Sequence, residues 1–290
     1  MPNNKNLPGQ CQRAPRLLIC SRQVIFLGTC FSRQEVYRTT QEMMLVCLGG
    51  RMTIRPQGGG LISARTCLVP AGTLLDQSRI DTREAVMGLC FLPPFSQHYP
   101  MLASLMTPLE DGIFYQHPDE DDVIHTMIQV RNQPAIGAAE GQRRIHQALI
   151  PEHLRQLSFR EFDPRVLTVA ARIRTSLQDA PILAELAREV RVSESWLEKL
   201  FKEQAGLPIT QYRVRYRVFI STIIMALGYS VTEAALLAGF SNSAHLSRCY
   251  RQINGVPPSS TFLSAPYLDS ILDESAVRLV DELLEGQAIT

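Results

Sequence analysis

The spacing of apolar residues divides this 290-residue chain into three regimes. From 16 to 92 the runs are short, alternating or wholly apolar, as in "RLLICSRQVIFLG", "MMLVCLGGRMTIRP" and "EAVMGLCFL", with the turn clusters "PQGGG" and "PAGT" between them. Such runs predict strands, and their near-regular spacing predicts a small antiparallel barrel or sandwich. Gly58, Gly59 and Gly60 read as a hairpin loop, because the Lys-Ser/Thr pair of a phosphate loop does not follow them. From about 95 the period lengthens to 3–4 residues. "DEDDVIHTMIQVRN" places acids ahead of its apolar positions, as a helix start does. "AAEGQRRIHQALIPEHLRQL" adds one or two further helices, so a helical layer is expected beside the strands.

From Pro164 onward every segment reads as a short helix: 164–177, 182–190, 193–204, 208–227, 231–238, 242–253 and 257–263. Asp163 is placed to cap the first of them, with Pro164 as its first residue. The last stretch, 264–290, repeats apolar residues at helical spacing with acids between, which predicts one acidic amphipathic helix.

The helical region repeats itself. "AELAREVRVSESWLEKLFKEQAGLP" lies over "TEAALLAGFSNSAHLSRCYRQINGVP" with Ala187 on Ala235 and Ser193 on Ser241, an offset of 48. After one extra residue, Leu197 meets Leu246, Phe201 meets Tyr250, Gly206 meets Gly255 and Pro208 meets Pro257, an offset of 49. Matched apolar positions face inward, and the matched Ala sits where two helices cross closely. Two copies of helix, tight turn and helix make two helix-turn-helix units joined by the spacer "PITQYRVRYRVFISTIIMALG".

That shape has a chemistry. The second helix of such a unit fits a major groove, where outward side chains near its N-terminus meet base edges. In the first unit the outward set is Glu194, Ser195, Glu198 and Lys199, with Lys202 further along, and Ser193 and a partly buried Trp196 complete the candidate DNA-binding residues. In the second it is Ser241, Asn242, Ser243, Ala244, His245, Ser247, Arg248 and Arg251. Lys and Arg pair with guanine or phosphate, Asn, Ser and His read bases or hold phosphate, and helix N-termini anchor phosphate. Arg213, Arg215 and Arg217 on the spacer are phosphate candidates, with Arg217 equally able to serve as a structural pair. His245 is open to a groove-facing or a packing and capping role.

Composition sharpens this reading. The formal net charge is only +1, yet 164–263 holds 12 Lys and Arg against 7 Asp and Glu, while 264–290 holds 1 against 6. A basic segment followed by an acidic tail suits a nucleic-acid binder. The seven Cys lack a C-x-x-C pair and are odd in number, which points to reduced thiols. No stretch reaches the length of a membrane span, and the first 20 residues lack the apolar core of a secretory signal. A cytoplasmic protein without membrane contact is expected, with a flexible arm over 1–15.

The stretch 164–263 resembles the AraC/XylS family of bacterial transcription regulators. The resemblance rests on "LAREVRVSESWLEKLFKEQAGLPITQY", Arg217, and "GYSVTEAALLAGFSNSAHLSRCYRQINGVPPSS", with "A-x-x-x-G-F" at 235–240, "H-L-S-R" at 245–248 and "G-V-P-P" at 255–258 as its specific parts. It implies recognition helices at 193–204 and 241–253. Ser221, Ile224, Met225, Ala234, Cys249 and Tyr250 depart from the family's usual residues in volume-tolerant ways, and Glu194 and Glu198 put acids on the first recognition helix. The N-terminal part resembles, through "L-V-P-A-G-T" at 68–73, the cupin-like effector domains of that family. His98, His117, His125, His146 and His153 include no H-x-H pair, so a metal centre is not expected.

The expected architecture is therefore α+β: a cupin-like β-barrel with a helical layer over 16–160, an all-α domain of two helix-turn-helix units joined by a spacer helix over 161–263, and the acidic helix after it. The expected function is a sequence-specific DNA-binding regulator and activator, acting on promoter double-stranded DNA. It would be controlled by dimerisation or by a small-molecule effector of unassigned identity at the N-terminal domain. No cofactor or enzyme activity is expected, a homodimer is, and RNA polymerase is a candidate partner. The competing readings are a cupin-like enzyme and a protein-binding anti-regulator with a degenerate DNA module.

Overall fold

The computed structural model describes residues 14–29, 37–75, 78–177, 181–263 and 268–285. The expected N-terminal arm lies almost wholly outside them. Strands come first: β1 (Arg16–Ile19), β2 (Val24–Thr29), β3 (Tyr37–Arg38), β4 (Met43–Ile54), β5 (Ile62–Ala64), β6 (Thr66–Val69), β7 (Leu74–Leu75) and β8 (Ile80–Phe91). Helix α1 (His98–Leu105) leads to two further strands, β9 (Thr107–Pro108) and β10 (Phe114–Tyr115), and then to α2 (Glu120–Asn132), α3 (Ala138–Leu149) and α4 (Glu152–Arg155). The large sheet runs β11-β1-β2-β8-β4-β6-β10-β9, with β5 beside β4 and β11 (Asp269–Leu272) arriving from the far end of the chain. Strands β3 and β7 form a separate pair. Gly58 sits at φ 70° in the connection from β4 to β5, the hairpin that the glycine tract predicted.

The alternation in β4 assigns the faces. Met44, Val46 and Leu48 join the core beneath α1, α2 and α3, while Met43, Leu45 and Cys47 enter a second core on the opposite side. In β1 and β2, Leu18, Ile25 and Leu27 also face the helical layer. Their neighbours Leu17, Ile19 and Phe26 turn the other way, into a third core shared with the C-terminal region. Period-2 patterning thus makes a single sheet serve both partners. The described cysteines, Cys20, Cys47, Cys67, Cys90 and Cys249, are buried free thiols.

The C-terminal helices are α5 (Pro164–Thr175), α6 (Leu183–Glu189), α7 (Glu194–Ala205), α8 (Ile209–Ala226), α9 (Val231–Leu237), α10 (Ser243–Asn254) and α11 (Pro258–Phe262). Asp163 caps α5 as expected, accepting from the Arg165 amide. The tail departs from the single helix its sequence suggests. It forms β11, parallel to β1, then α12 (Glu274–Val277) and α13 (Asp281–Glu285). A one-sided apolar pattern of short length suits either element, and an open sheet edge decided for a strand.

The first helix-turn-helix unit meets the N-terminal body through an aromatic cluster. Phe95 lies 5.6 Å from both Phe162 and Phe201 and 5.8 Å from Tyr212. Phe201 is fully buried there, and edge-to-face geometry adds to its area burial. Arg160 donates to the Gln204 carbonyl at 2.7 Å, and Gln97 accepts from the Phe159 and Arg160 amides at 3.0 Å.

A half-buried imidazole pair fastens α1 to α3. His98 and His146 approach at 2.7 Å between Nε2 atoms, so one ring donates and the other, necessarily neutral, accepts. Burial, with His146 beside it, holds the His98 pKa down at about 4, and burial with Arg155 lowers that of His146. Both folded values lie below the ordinary histidine value, so the unfolded chain binds protons first as pH falls. The stability this pair supplies is complete above about pH 6.5 and is lost as pH drops toward 4. His98→Gln should therefore flatten the acid-side loss of unfolding free energy by on the order of 1–2 kcal/mol between pH 6.5 and 4.5, read from urea titrations of both proteins.

Candidate nucleic-acid interface

The two units close their turns with the same hydrogen bond. Val192 donates to the Ala187 carbonyl at 3.0 Å, and Phe240 donates to the Ala235 carbonyl at 2.8 Å. Both bonds fall at the offset of 48. The turn needs one left-handed residue in each unit, Arg191 at φ 57° and Gly239 at φ 79°. Gly239 is the tighter position. A Cβ there would stand 2.9 Å from the Leu177 carbonyl oxygen and 3.1 Å from Arg217 Nε.

Past the turn the register changes to 49. Ser193 caps α7, with Oγ accepting from the Trp196 amide at 3.3 Å. Asn242 caps α10, with Oδ1 accepting from the His245 amide at 2.8 Å. The partner of Ser193 is thus Asn242, and Ser241 is the inserted residue, which corrects the pairing read from sequence. Ser193 and Ser241 look alike, whereas the cap is fixed by backbone geometry. Both recognition helices stop at a left-handed glycine, Gly206 at φ 75° and Gly255 at φ 77°. Helix α9 carries a reciprocal box, in which Ser230 Oγ accepts from the Glu233 amide at 3.2 Å and Glu233 accepts from the Ser230 amide at 2.8 Å.

Most of the sequence-predicted set reaches the surface. Ser193, Glu194, Ser195, Trp196, Glu198, Lys199 and Lys202 are exposed on α7 and its cap, and Ser241, Asn242, Ala244, Arg248 and Arg251 are exposed on α10 and its cap. Ser243 and Ser247 are half-buried. Inward positions are filled by Leu197 and Phe201 in one helix and by Leu246, Cys249 and Tyr250 in the other. Trp196 is sandwiched against a cation, with the Arg165 guanidinium 4.2 Å from its ring. His245 makes a packing contact. Its ring lies edge-on to Phe240 at 5.2 Å, and Nδ1 meets Ser241 Oγ at 3.2 Å.

The spacer arginines turn inward. Arg217 donates to the Leu177 carbonyl at 2.8 Å, Arg213 to the Pro181 carbonyl, and Arg215 to the Thr40 carbonyl at 3.5 Å. The bond from Arg217 to Leu177 is a structural one. A residue's type shows that it is cationic, but only the fold shows which face of α8 meets Leu177 and Pro181. Burial lowers the pKa of Arg215 to about 10, while nearby Tyr212 and Glu42 raise it. The spacer α8 has 18 residues, about 27 Å of rise.

Two such units, each exposing a capped and charged second helix, define a helix-turn-helix module. The comparisons agree with that class, since residues 186–263 match the family model described as a helix-turn-helix domain. The chain carries this domain in its AraC-type form. Over 96 residues it is 30% identical to the HTH-type transcriptional regulator GbdR of Pseudomonas aeruginosa, spanning 33% of this chain and 26% of that protein. Over 82 residues it is 29% identical to the HTH-type transcriptional regulator RipA of Corynebacterium glutamicum, spanning 28% of this chain and 25% of that one. The chain thus covers about a quarter of the length of these curated relatives. An apo variant of ToxT from Vibrio cholerae shares the fold, with a TM-score of 0.50 at 11% identity, covering 84% of this chain and 94% of that one.

Because Gly239 combines a left-handed φ with a backbone oxygen at its Cβ position, Gly239→Ala should destabilise the second unit by about 2–3 kcal/mol. Chemical denaturation measures the loss. Arg191→Gly should cost nothing or stabilise slightly, since its φ is the one glycine prefers.

Proposed function

We propose that this protein is a sequence-specific transcription regulator and an activator, which sets α7 and α10 in two successive major grooves of promoter DNA. The observation that carries the reading is the duplicated turn with its exposed, capped second helices. In this arrangement Lys199 and Arg248 are the leading base or phosphate contacts, Asn242 and Ser193 present helix N-termini to phosphate, and Lys202 and Arg251 reach the flanking backbone. Homodimerisation would pair two such modules and raise the effective concentration of the second at a repeated site. RNA polymerase is the partner through which an activator acts.

A cavity of about 1200 Å³ between the sheet and the helical domain supports control by a small effector. Phe26, Phe91 and Leu89 line it from the sheet, with Tyr216, Phe219 and Arg174 from the helices. The sequence leaves ligand binding and dimerisation open for the N-terminal domain, and the sheet of that domain forms one wall of this cavity. A ligand there touches both at once, and it shifts their arrangement by the difference in its affinity for the alternatives.

Selection from a random duplex pool tests this reading. Wild type should enrich a two-part motif with centres about one helical turn apart, and Lys199→Ala/Arg248→Ala should lose it. A one-part motif would assign base reading to a single unit. No enrichment by folded protein at any salt would overturn the DNA reading in favour of a protein partner.

A further inference from the structure

Residues 268–285 lie outside the matched domain and join two parts of the molecule that are distant in sequence. Strand β11 runs parallel to β1 in the register Arg16 to Asp269 through Ile19 to Leu272. The Asp269 amide donates to the Pro15 carbonyl at 2.8 Å, and the Asp273 amide to the Ile19 carbonyl at 2.9 Å. Arg16, only 7% exposed, holds Asp269 through Nε at 2.9 Å and Nη2 at 2.8 Å. Its Nη1 donates to the carbonyls of Val130 and Gln133 at 2.9 and 2.6 Å. The segment then crosses to the helical domain. Ala276 and Val280 are fully buried in the core that Leu17 and Phe26 of the sheet share with Leu246 and Tyr250 of α10.

Two features make this attachment more than a static end of the chain. It is built from a four-residue strand and helices of four and five residues, none of which is stable alone, so they dock and leave together. It also carries six acids and one Arg. Docked, it lines the interdomain cavity with Leu279, Glu282 and Leu283 alongside Ile253 and Asn254, at the C-terminal end of the second recognition helix. DNA phosphates run beside a helix seated in the major groove, and carboxylates within a Debye length of about 8–10 Å repel them.

We propose that residues 268–285 form an autoinhibitory strap, which clamps the second helix-turn-helix unit to the sheet and places Glu282 on the cavity that the C-terminal end of α10 also lines, and which DNA binding displaces. The inference rests on the DNA reading above. DNA and docked strap then bind reciprocally, each weakening the other. Displacement opens the β1 edge and leaves the Arg16 guanidinium without its carboxylate, so the closed state is the resting one.

A reversible lock tests this in the full-length protein. Leu17 and Ser270 are register partners on adjacent strands, about 4.8 Å apart as such neighbours are, within reach of a disulfide. Leu17→Cys/Ser270→Cys is oxidised, the new bond is verified by peptide mapping, and binding to a random-sequence duplex of 40 base pairs, about four helical turns, is followed by fluorescence anisotropy before and after dithiothreitol. In parallel, Asp269→Lys sets a like charge against Arg16 and releases the strap. The expected result is binding about five- to tenfold weaker in the oxidised pair than in the same protein reduced, with Asp269→Lys tighter than wild type. Equal binding by oxidised and reduced forms, while wild type binds DNA, overturns the strap alone. Should the cysteine pair fail to fold, Asp269→Lys decides, because binding equal to or weaker than wild type overturns the proposal. Absence of DNA binding from wild type and every variant overturns instead the reading on which the strap rests.

Discussion

One apolar core determines how the two halves of this protein sit together. Leu17, Ile19 and Phe26 leave the sheet on the face opposite its helical layer, and Val218, Ile223, Ala235, Leu246 and Tyr250 meet them from the spacer and the second helix-turn-helix unit. Each large side chain fully buried there stabilises the joined state by about 1.5–3 kcal/mol relative to exposure, before ordering costs. The same core orders α9 against α10. The helix crossing that presents the second recognition surface and the docking of the sheet are therefore one packing problem. The first unit has its own core, built on Val166, Leu186, Leu197 and Phe201, and touches the N-terminal body through Phe95.

This division accounts for the inward-turned arginines. The spacer contributes to both cores, with Ile209 and Tyr212 in one and Val218 and Ile223 in the other, and its arginines fall between them. Arg217 and Arg213 satisfy the carbonyls of Leu177 and Pro181, and Arg215 reaches the Thr40 carbonyl of the β part. Buried carbonyls need donors, and a guanidinium with its fork of N–H groups supplies several along one helix face. The price is desolvation, visible in the lowered pKa of all three.

What the sequence made legible, and what it did not, follows from the range of the interactions. The caps at Asp163, Ser193 and Asn242, the turn glycine Gly239 and the terminating Gly206 and Gly255 depend on neighbours within a few residues. Most of these signals stand in the local pattern, so the two-unit module could be read, while the cap at Asn242 is mistaken for Ser241 because two adjacent polar residues offer the same signal. The strand at 269–272 depends on β1, 253 residues away by the Arg16–Asp269 pair, and no local period distinguishes it from a helix turn. The inward Arg217 and the packed His245 depend on which face a helix turns to a partner. The cavity between the bodies needs the docking of both, so the sequence could only place an effector within the N-terminal domain.

The two recognition helices are electrostatically unequal, and that inequality bears on where control is applied. Helix α7 mixes Glu194, Glu198 and Glu203 with Lys199 and Lys202, and its Trp196 is already stacked under Arg165, itself paired with Asp163. Helix α10 has no acid between its cap and Asn254, and it carries Arg248 and Arg251. In the proposed function, phosphate attraction, which dominates affinity without selecting sequence, would fall mainly to the second unit. A Glu on α7 faces a different task, since a carboxylate accepts from a cytosine amino group and is repelled by the backbone. On this reading the first unit discriminates and the second anchors. A device that restrains the anchor lowers binding to all DNA at once, and the tail packs against that unit, sharing its core through Ala276 and Val280.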